Sequence, residues 1–204
     1  AQNANLSIPA FGDVRVAPRL NPQGHSREQF AFCAYALSAL GRPCGAEAIL
    51  GAVECGDSHG RADVGVPLQE DPPCPLLFEW DGSYYHDKAR LPSDVRKTER
   101  LCAIEGAVVA RVRVGKAAPF PDNTGAIVVH VPTANLALAL AALAPLLAPR
   151  LPTPLAEQLR ASADGQTQPE LEAEIDAAWA QVDVDAAKSA ASTERWNKYN
   201  AQKE

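Results

Sequence analysis

Apolar positions along this chain follow two periods. In HSREQFAFCAYALSALG (residues 25–41) they recur at helical spacing. Ser26 with Gln29 three residues on forms a capping box and Gly41 stops the run, so a helix is predicted there. A second short helix is predicted over Ala46–Val53. GRADVGVP reads as a short strand ending at Pro67 and PLLFEWDG as its hairpin partner, with the Pro-rich QEDPPCP between them. SDVRKTERLCAIEG repeats the helix grammar: Ser93 caps, Leu101 and Ile104 face inward and Gly106 terminates. AVVARVRV alternates, with Val108, Ala110, Val112 and Val114 on one face and Val109, Arg111 and Arg113 on the other. GAIVVHVP is a further strand, and TANLALALAALAPLLA a helix packing back onto the sheet.

Helices and strands in this order imply an α/β fold, a small mixed β-sheet flanked by helices. Residues 1–24 read as an extended N-terminal arm, 25–148 as the α/β core, and PRLPTP (149–154) as a stiff linker. Residues 155–204 read as an acidic helical C-terminal extension, anchored by Trp179 and Trp196 on the core or on a partner.

Composition adds limits. At 204 residues the chain can bury one substantial core, and 47% apolar with 22% charged residues is the balance of a soluble globular protein. No apolar run reaches the roughly 18–20 residues of a membrane span, so no membrane partner is expected. Five scattered cysteines without a C-x-x-C pair argue against a zinc module or a disulfide framework and for an intracellular, reducing compartment. The chain starts at Ala1 and contains no Met, which is compatible with loss of an initiator or of an organellar targeting segment. The net charge is −6, but it is unevenly spread. Residues 151–204 hold 5 Lys/Arg against 10 Asp/Glu, whereas residues 81–120 hold 8 against 5, a local +3. That excess is either a solvated face or a modest phosphate-facing surface.

Candidate chemistry centres on FEWDGSYYH (78–86). Alternation along a strand puts Glu79 and Asp81 on one face and Trp80 on the other. Asp63 lies in the preceding strand, His86 four residues past Gly82, and Glu28 in the first turn of the first helix. Asp94, Lys97, Leu101, Gly106 and the V-x-R-x-R of Val109–Arg113 follow. Hydrolysis of a phosphodiester needs a hard cation and a base. Mg²⁺ binds through one or two carboxylates, which suits Asp63 with Glu79, and a His near neutral pKa suits the base. Arg111 and Arg113 share a face and would grip phosphate or, equally, shield the acids.

This set, over residues 25–131, resembles the PD-(D/E)XK restriction-endonuclease-like superfamily, and within it very-short-patch-repair-type endonucleases and small domains carrying E-x-D-G-x-x-H. The RNA-binding RAP domain shares the E-x-D-G and His core. The resemblance implies Asp63 and Glu79 as ligands of Mg²⁺ or Mn²⁺, Asp81 where lysine is usual, His86 as general base and Glu28 as a supporting acid. Lys97, Arg111 and Arg113 become candidate contacts to the phosphates of DNA or RNA. Two departures stand out: Ala62 replaces the proline before the aspartate, and Asp81 removes the expected cation. The activity implied is metal-dependent nuclease-like hydrolysis. The non-catalytic alternative, with no metal, is a RAP-like RNA-binding or scaffolding subunit of a larger ribonucleoprotein, organellar or otherwise, with the acidic tail meeting a protein partner.

Each residue also has a plainer role. Asp63 would cap the bend before Pro67, Glu79 would be a solvent-facing edge charge, His86 a hydrogen-bonded loop residue, and Glu28 would compensate the helix dipole. His25, His59 and His130 are assigned structural or surface roles. The sequence shows no Ser/His/Asp or Cys/His arrangement and no phosphate-cradling glycine loop.

Overall fold

The computed structural model describes residues 26–41, 53–57, 60–69, 74–82, 86–177 and 179–180. Five strands form one mixed sheet in the order β1 (Val53–Asp57), β2 (Gly60–Gln69), β3 (Cys74–Asp81), β4 (Val108–Val114) and β5 (Ile127–Val131). β1–β2 and β2–β3 pair antiparallel, while β3–β4 and β4–β5 pair parallel. The parallel step from β3 to β4 carries α2 (Leu91–Cys102), as such a crossover requires. Around the sheet stand α1 (Arg27–Ala39), α3 (Leu136–Leu147) and α4 (Thr153–Ser162), with helical residues again from 169.

The strand faces divide the core in two. Val64, Val66, Leu76, Phe78, Trp80, Ala110, Val112 and Val114 pack with α1, α3 and α4 in the main cluster. On the opposite face Leu77 and Val109 meet Leu101 of α2 in a small one. The predicted alternation of β4 is therefore the observed one. Helix α1 is enclosed almost all round, from Phe30 to Leu37 without an exposed side chain, because the sheet, α3, α4 and the C-terminal helical residues each take one of its sides. Phe32 lies edge-on to Phe78 at 5.8 Å and tilted against Trp80 at 4.8 Å, fixing α1 over the middle of β3.

Several predicted boundaries shift. Val53, given to a short helix, instead opens strand β1, and residues 46–52 of that helix lie outside the described residues. β2 does not stop at Pro67 but runs on to Gln69, with Pro67 opposite Pro75 and a register shift immediately after. A proline pair in facing strands, each unable to donate, sits where the ladder is about to break. Ser93 is not the cap of α2. The helix starts three residues earlier, with Arg90 at the N-cap and Pro92 in the first turn, where a missing N–H costs nothing. The stretch 149–154 is not a free linker. It holds the end of a 3₁₀ turn (Ala148–Arg150) and the start of α4. Leu159, Leu171 and Ile175 are buried in the main core, so the polypeptide up to residue 177 belongs to the same body as the sheet. Trp179 packs on Phe30 at 5.6 Å, as an anchor should, whereas Trp196, the rest of the acidic tail and the arm 1–24 lie outside the described residues. Among the described residues no helix is long and apolar enough to cross a membrane.

Candidate active site

Parallel register brings the chemistry together. Glu79 stands beside Arg111 and Asp81 beside Arg113 on the α2 face of β3 and β4, near the carboxyl ends of both strands. Ligand sites of open α/β sheets favour such ends. The acids and the arginines are deeply buried: Asp81, Arg111 and Arg113 are 0% exposed and Glu79 2%. Arg111 holds Asp81 with two hydrogen bonds, Nε to Oδ2 at 2.6 Å and Nη2 to Oδ1 at 3.0 Å. The same Nη2 donates to Glu79 Oε2 at 2.9 Å, and Nη1 donates to Thr98 Oγ1 and, at 3.3 Å, to the Asp94 carbonyl. Arg113 donates through Nη1 to Asp81 Oδ2 at 2.8 Å and Asp94 Oδ2 at 3.0 Å, through Nε to the Ala118 carbonyl, and through Nη2 to the His86 carbonyl. Burying these charges is tolerable because nearly every donor meets an acceptor.

This geometry corrects the assignment of Arg111 and Arg113 to phosphate. Their donors are engaged by carboxylates and carbonyls, out of reach of a ligand. Asp81, for the same reason, acts as the anchor of both guanidiniums rather than as a free catalytic acid. The shielding role, left open by the sequence, is the one observed.

Next to this locked half lies a different one. The regular β2–β3 pairing ends at Val64 opposite Phe78. Beyond it the Asp63 carboxylate reaches across and accepts a 2.7 Å hydrogen bond from the Trp80 backbone N–H. Asp63 and Glu79 thereby come close enough to disturb each other. Burial, then the charge of Asp63, push the Glu79 carboxyl up to about 8, against the pull of Lys97 and Arg111. Burial also raises Asp63, with Asp81 adding to it and Lys97 opposing. Lys97 comes from α2, half-buried, and its Nζ lies 2.7 Å from both Glu79 oxygens, with the hydrogen bond directed to Oε2. Burial pulls the Lys97 ammonium down, but the charges of Glu79 and Asp63 outweigh it and hold it above its ordinary value. Exposed Glu28, in the first turn of α1, places Oε2 4.0 Å from where a β-carbon on Gly82 would stand.

His86 is half-buried, with Nδ1 2.9 Å from Asp94 Oδ2 and 3.3 Å from Asp81 Oδ1. Burial would raise the Asp94 carboxyl, but hydrogen bonds from His86 and Arg113 bring it below its usual value. With Nδ1 taken by Asp94, Nε2 is the nitrogen left for other work.

Sequence reasoning named Lys97 for phosphate, yet it sits on an acid, and it gave Asp94 and Thr98 no role. A signal was present: Asp94, Lys97, Thr98 and Leu101 recur at helical spacing, so one stripe of α2 must face the sheet. Phe120 was also passed over. Its ring lies over both guanidiniums, 4.9 Å from Arg111 Cζ and 5.3 Å from Arg113 Cζ.

No family model, curated protein or solved structure matches this chain.

Proposed function

We propose that the chain is a metal-dependent, nuclease-like domain that hydrolyses nucleic-acid phosphodiesters, with Asp63 and Glu79 as its working carboxylates. One observation carries the reading: the Asp63 carboxylate of β2 reaches across to the Trp80 N–H, next to the buried Glu79 of β3, and its charge together with burial pushes the Glu79 carboxyl up. Lys97 and Arg111 supply only part of the positive charge that this pair calls for. Asp63 and Glu79 would suit a hard divalent cation such as Mg²⁺ or Mn²⁺ through the oxygens their hydrogen bonds leave open, since the Trp80 N–H takes Asp63 Oδ2 and Arg111 and Lys97 take Glu79 Oε2. Asp81, His86 and Asp94 also lie within 4.8 Å of one another. That group does not fit, because Arg113 already occupies the Oδ2 atoms of both acids.

When bound, the metal would polarise the scissile phosphate. Lys97 supplies the cation that Asp81 denies to β3, now from helix α2, and steadies charge building on the phosphate. Asp94 holds His86 by Nδ1, presenting Nε2 as acceptor for the proton of an attacking water. Glu28, beside Gly82, is the supporting acid that the resemblance implies. The E-x-D-G resemblance supports the same division of labour, although His86 comes one residue later than the E-x-D-G-x-x-H spacing has it.

The test is cleavage of labelled single- and double-stranded DNA and RNA with Mg²⁺, Mn²⁺ or EDTA. Asp63→Ala and Glu79→Ala should each abolish metal-dependent cleavage while leaving the circular dichroism spectrum unchanged. Undiminished cleavage by both variants refutes the assignment.

A second reading, a non-catalytic RAP-like RNA-binding or scaffolding subunit, is favoured by the grip of Arg111 and Lys97 on Glu79, which already supplies counter-charge to that acid. Its signature is RNA binding in EDTA with no cleavage under any metal.

A further inference from the structure

We propose that Phe120 is a stacking platform for an unpaired nucleobase, set beside His86. The proposal deepens the phosphodiester reading by naming its substrate class: single-stranded nucleic acid, or a base displaced from a duplex. Four observations lead to it. Pro119 and Pro121 flank Phe120, and prolines on both sides stiffen the backbone that carries the ring. Phe120 is partly exposed while the two guanidiniums against its ring are fully buried, so the ring lies between the buried arginines and the surface. Among the described residues no second ring contacts it. Finally, the segment is tied to the candidate base: Ala118 N–H donates to the His86 carbonyl at 3.1 Å, and Arg113 bridges the carbonyls of Ala118 and His86.

A merely protective ring is the alternative, and the hydrogen bonds argue against it. Arg111 makes five side-chain hydrogen bonds and Arg113 four without the ring, so neither depends on an aromatic cover. Any apolar side chain would keep water off them. What only an aromatic ring offers is a flat outer face, on which a base stacks regardless of its identity. Exposed Lys116 lies four residues before Phe120, and exposed Lys88 and Arg90 follow His86, so both of the segments joined here carry cations for phosphates.

The experiment is fluorescence anisotropy in EDTA with labelled 12-nucleotide single-stranded DNA, single-stranded RNA and a duplex of the same length. Wild type is compared with Phe120→Leu and Phe120→Trp, and thermal unfolding is followed for each. Wild type should bind one of the single strands more tightly than the duplex. Phe120→Leu should weaken that binding by about tenfold or more with its melting temperature unchanged, and Phe120→Trp should restore it. Equal binding by Phe120→Leu and wild type, equal affinity for the duplex, or no binding at all overturns the proposal. If wild type cleaves with Mg²⁺ while Phe120→Leu binds as wild type does, the platform fails and the phosphodiester reading survives. If binding depends on Phe120 but no metal elicits cleavage, the platform stands and that reading falls.

Discussion

Arg111 reaches diagonally past its register partner Glu79 to take Asp81 with two hydrogen bonds, so each of the two acids of E-x-D is held by the same guanidinium. A planar fork suits this task as a lysine would not. The consequence is a division of the acidic cluster. Asp81 and Asp94 are satisfied by arginines, whereas Glu79 divides Arg111 with Asp81, shares the charge of Lys97 with Asp63 and is raised by the Asp63 charge.

Breaking the Arg111–Asp81 contact from one side leaves a buried charge unmatched. Arg111→Met should cost about 3–5 kcal/mol, and Asp81→Leu a similar amount. The double variant should cost clearly less than the two together, since neither charge then remains alone. Urea unfolding of the four proteins measures the coupling. Strict additivity would show that the pair does not act as a unit.

Glu79 makes stability depend on pH in the less common direction. Its folded value of about 8 lies above the ordinary 4.5, so between those limits the folded chain keeps a proton that the unfolded chain has released. The stability it contributes is fully present below about 4.5 and lost as pH rises to about 8. Against Glu79→Gln, which cannot titrate, the wild type should lose up to about 4–5 kcal/mol over this window and nothing further above it. Mg²⁺ competes with the same proton, so its stabilisation of wild type should grow up to about pH 8. A flat difference between the two proteins from pH 5 to 8 contradicts the raised value.

Lys97 is the test of where the missing cation went. Lys97→Met should lower metal-dependent cleavage by about a hundredfold or more, and Lys97→Arg should recover part of it. Because the side chain is half-exposed, the fold should survive both changes, which circular dichroism checks. Unchanged turnover in Lys97→Met would return Lys97 to the role of a plain counter-ion.

Much of this was legible in the chain, for reasons that differ by residue. Period-two alternation in FEWD and VVARVRV placed Glu79, Asp81, Arg111 and Arg113 on one sheet face, because side-chain direction along a strand is fixed by the backbone. Which acid each arginine takes was not legible, since it depends on the parallel register that α2 imposes. Strand β1 was missed because GAVECGDSHG offers no clear alternation, and its pairing with β2 is a tertiary decision. Asp63 was found by type and position. Its bond to the Trp80 N–H follows from the end of regular pairing between β2 and β3, which no local pattern announces.

The proline-rich stretch 149–154 suggested a boundary that packing removes. Beyond it, Leu159, Leu171 and Ile175 are buried against α1, and Tyr35 donates from that helix to Glu172 Oε1 at 2.8 Å while accepting the Gln168 N–H at 3.2 Å. Arg27 adds an ion pair to Asp176, but it is exposed and worth little by itself. Apolar contact therefore holds this segment. Ile175→Ala should destabilise the whole domain by about 2–5 kcal/mol in a single cooperative transition, because the cavity opens in the core that the sheet shares. Arg27→Ala should cost less than about 1 kcal/mol. A separate tail would behave in the opposite way: Ile175→Ala would leave the main unfolding transition untouched and melt only a minor early phase, which hydrogen exchange on α1 amides would resolve.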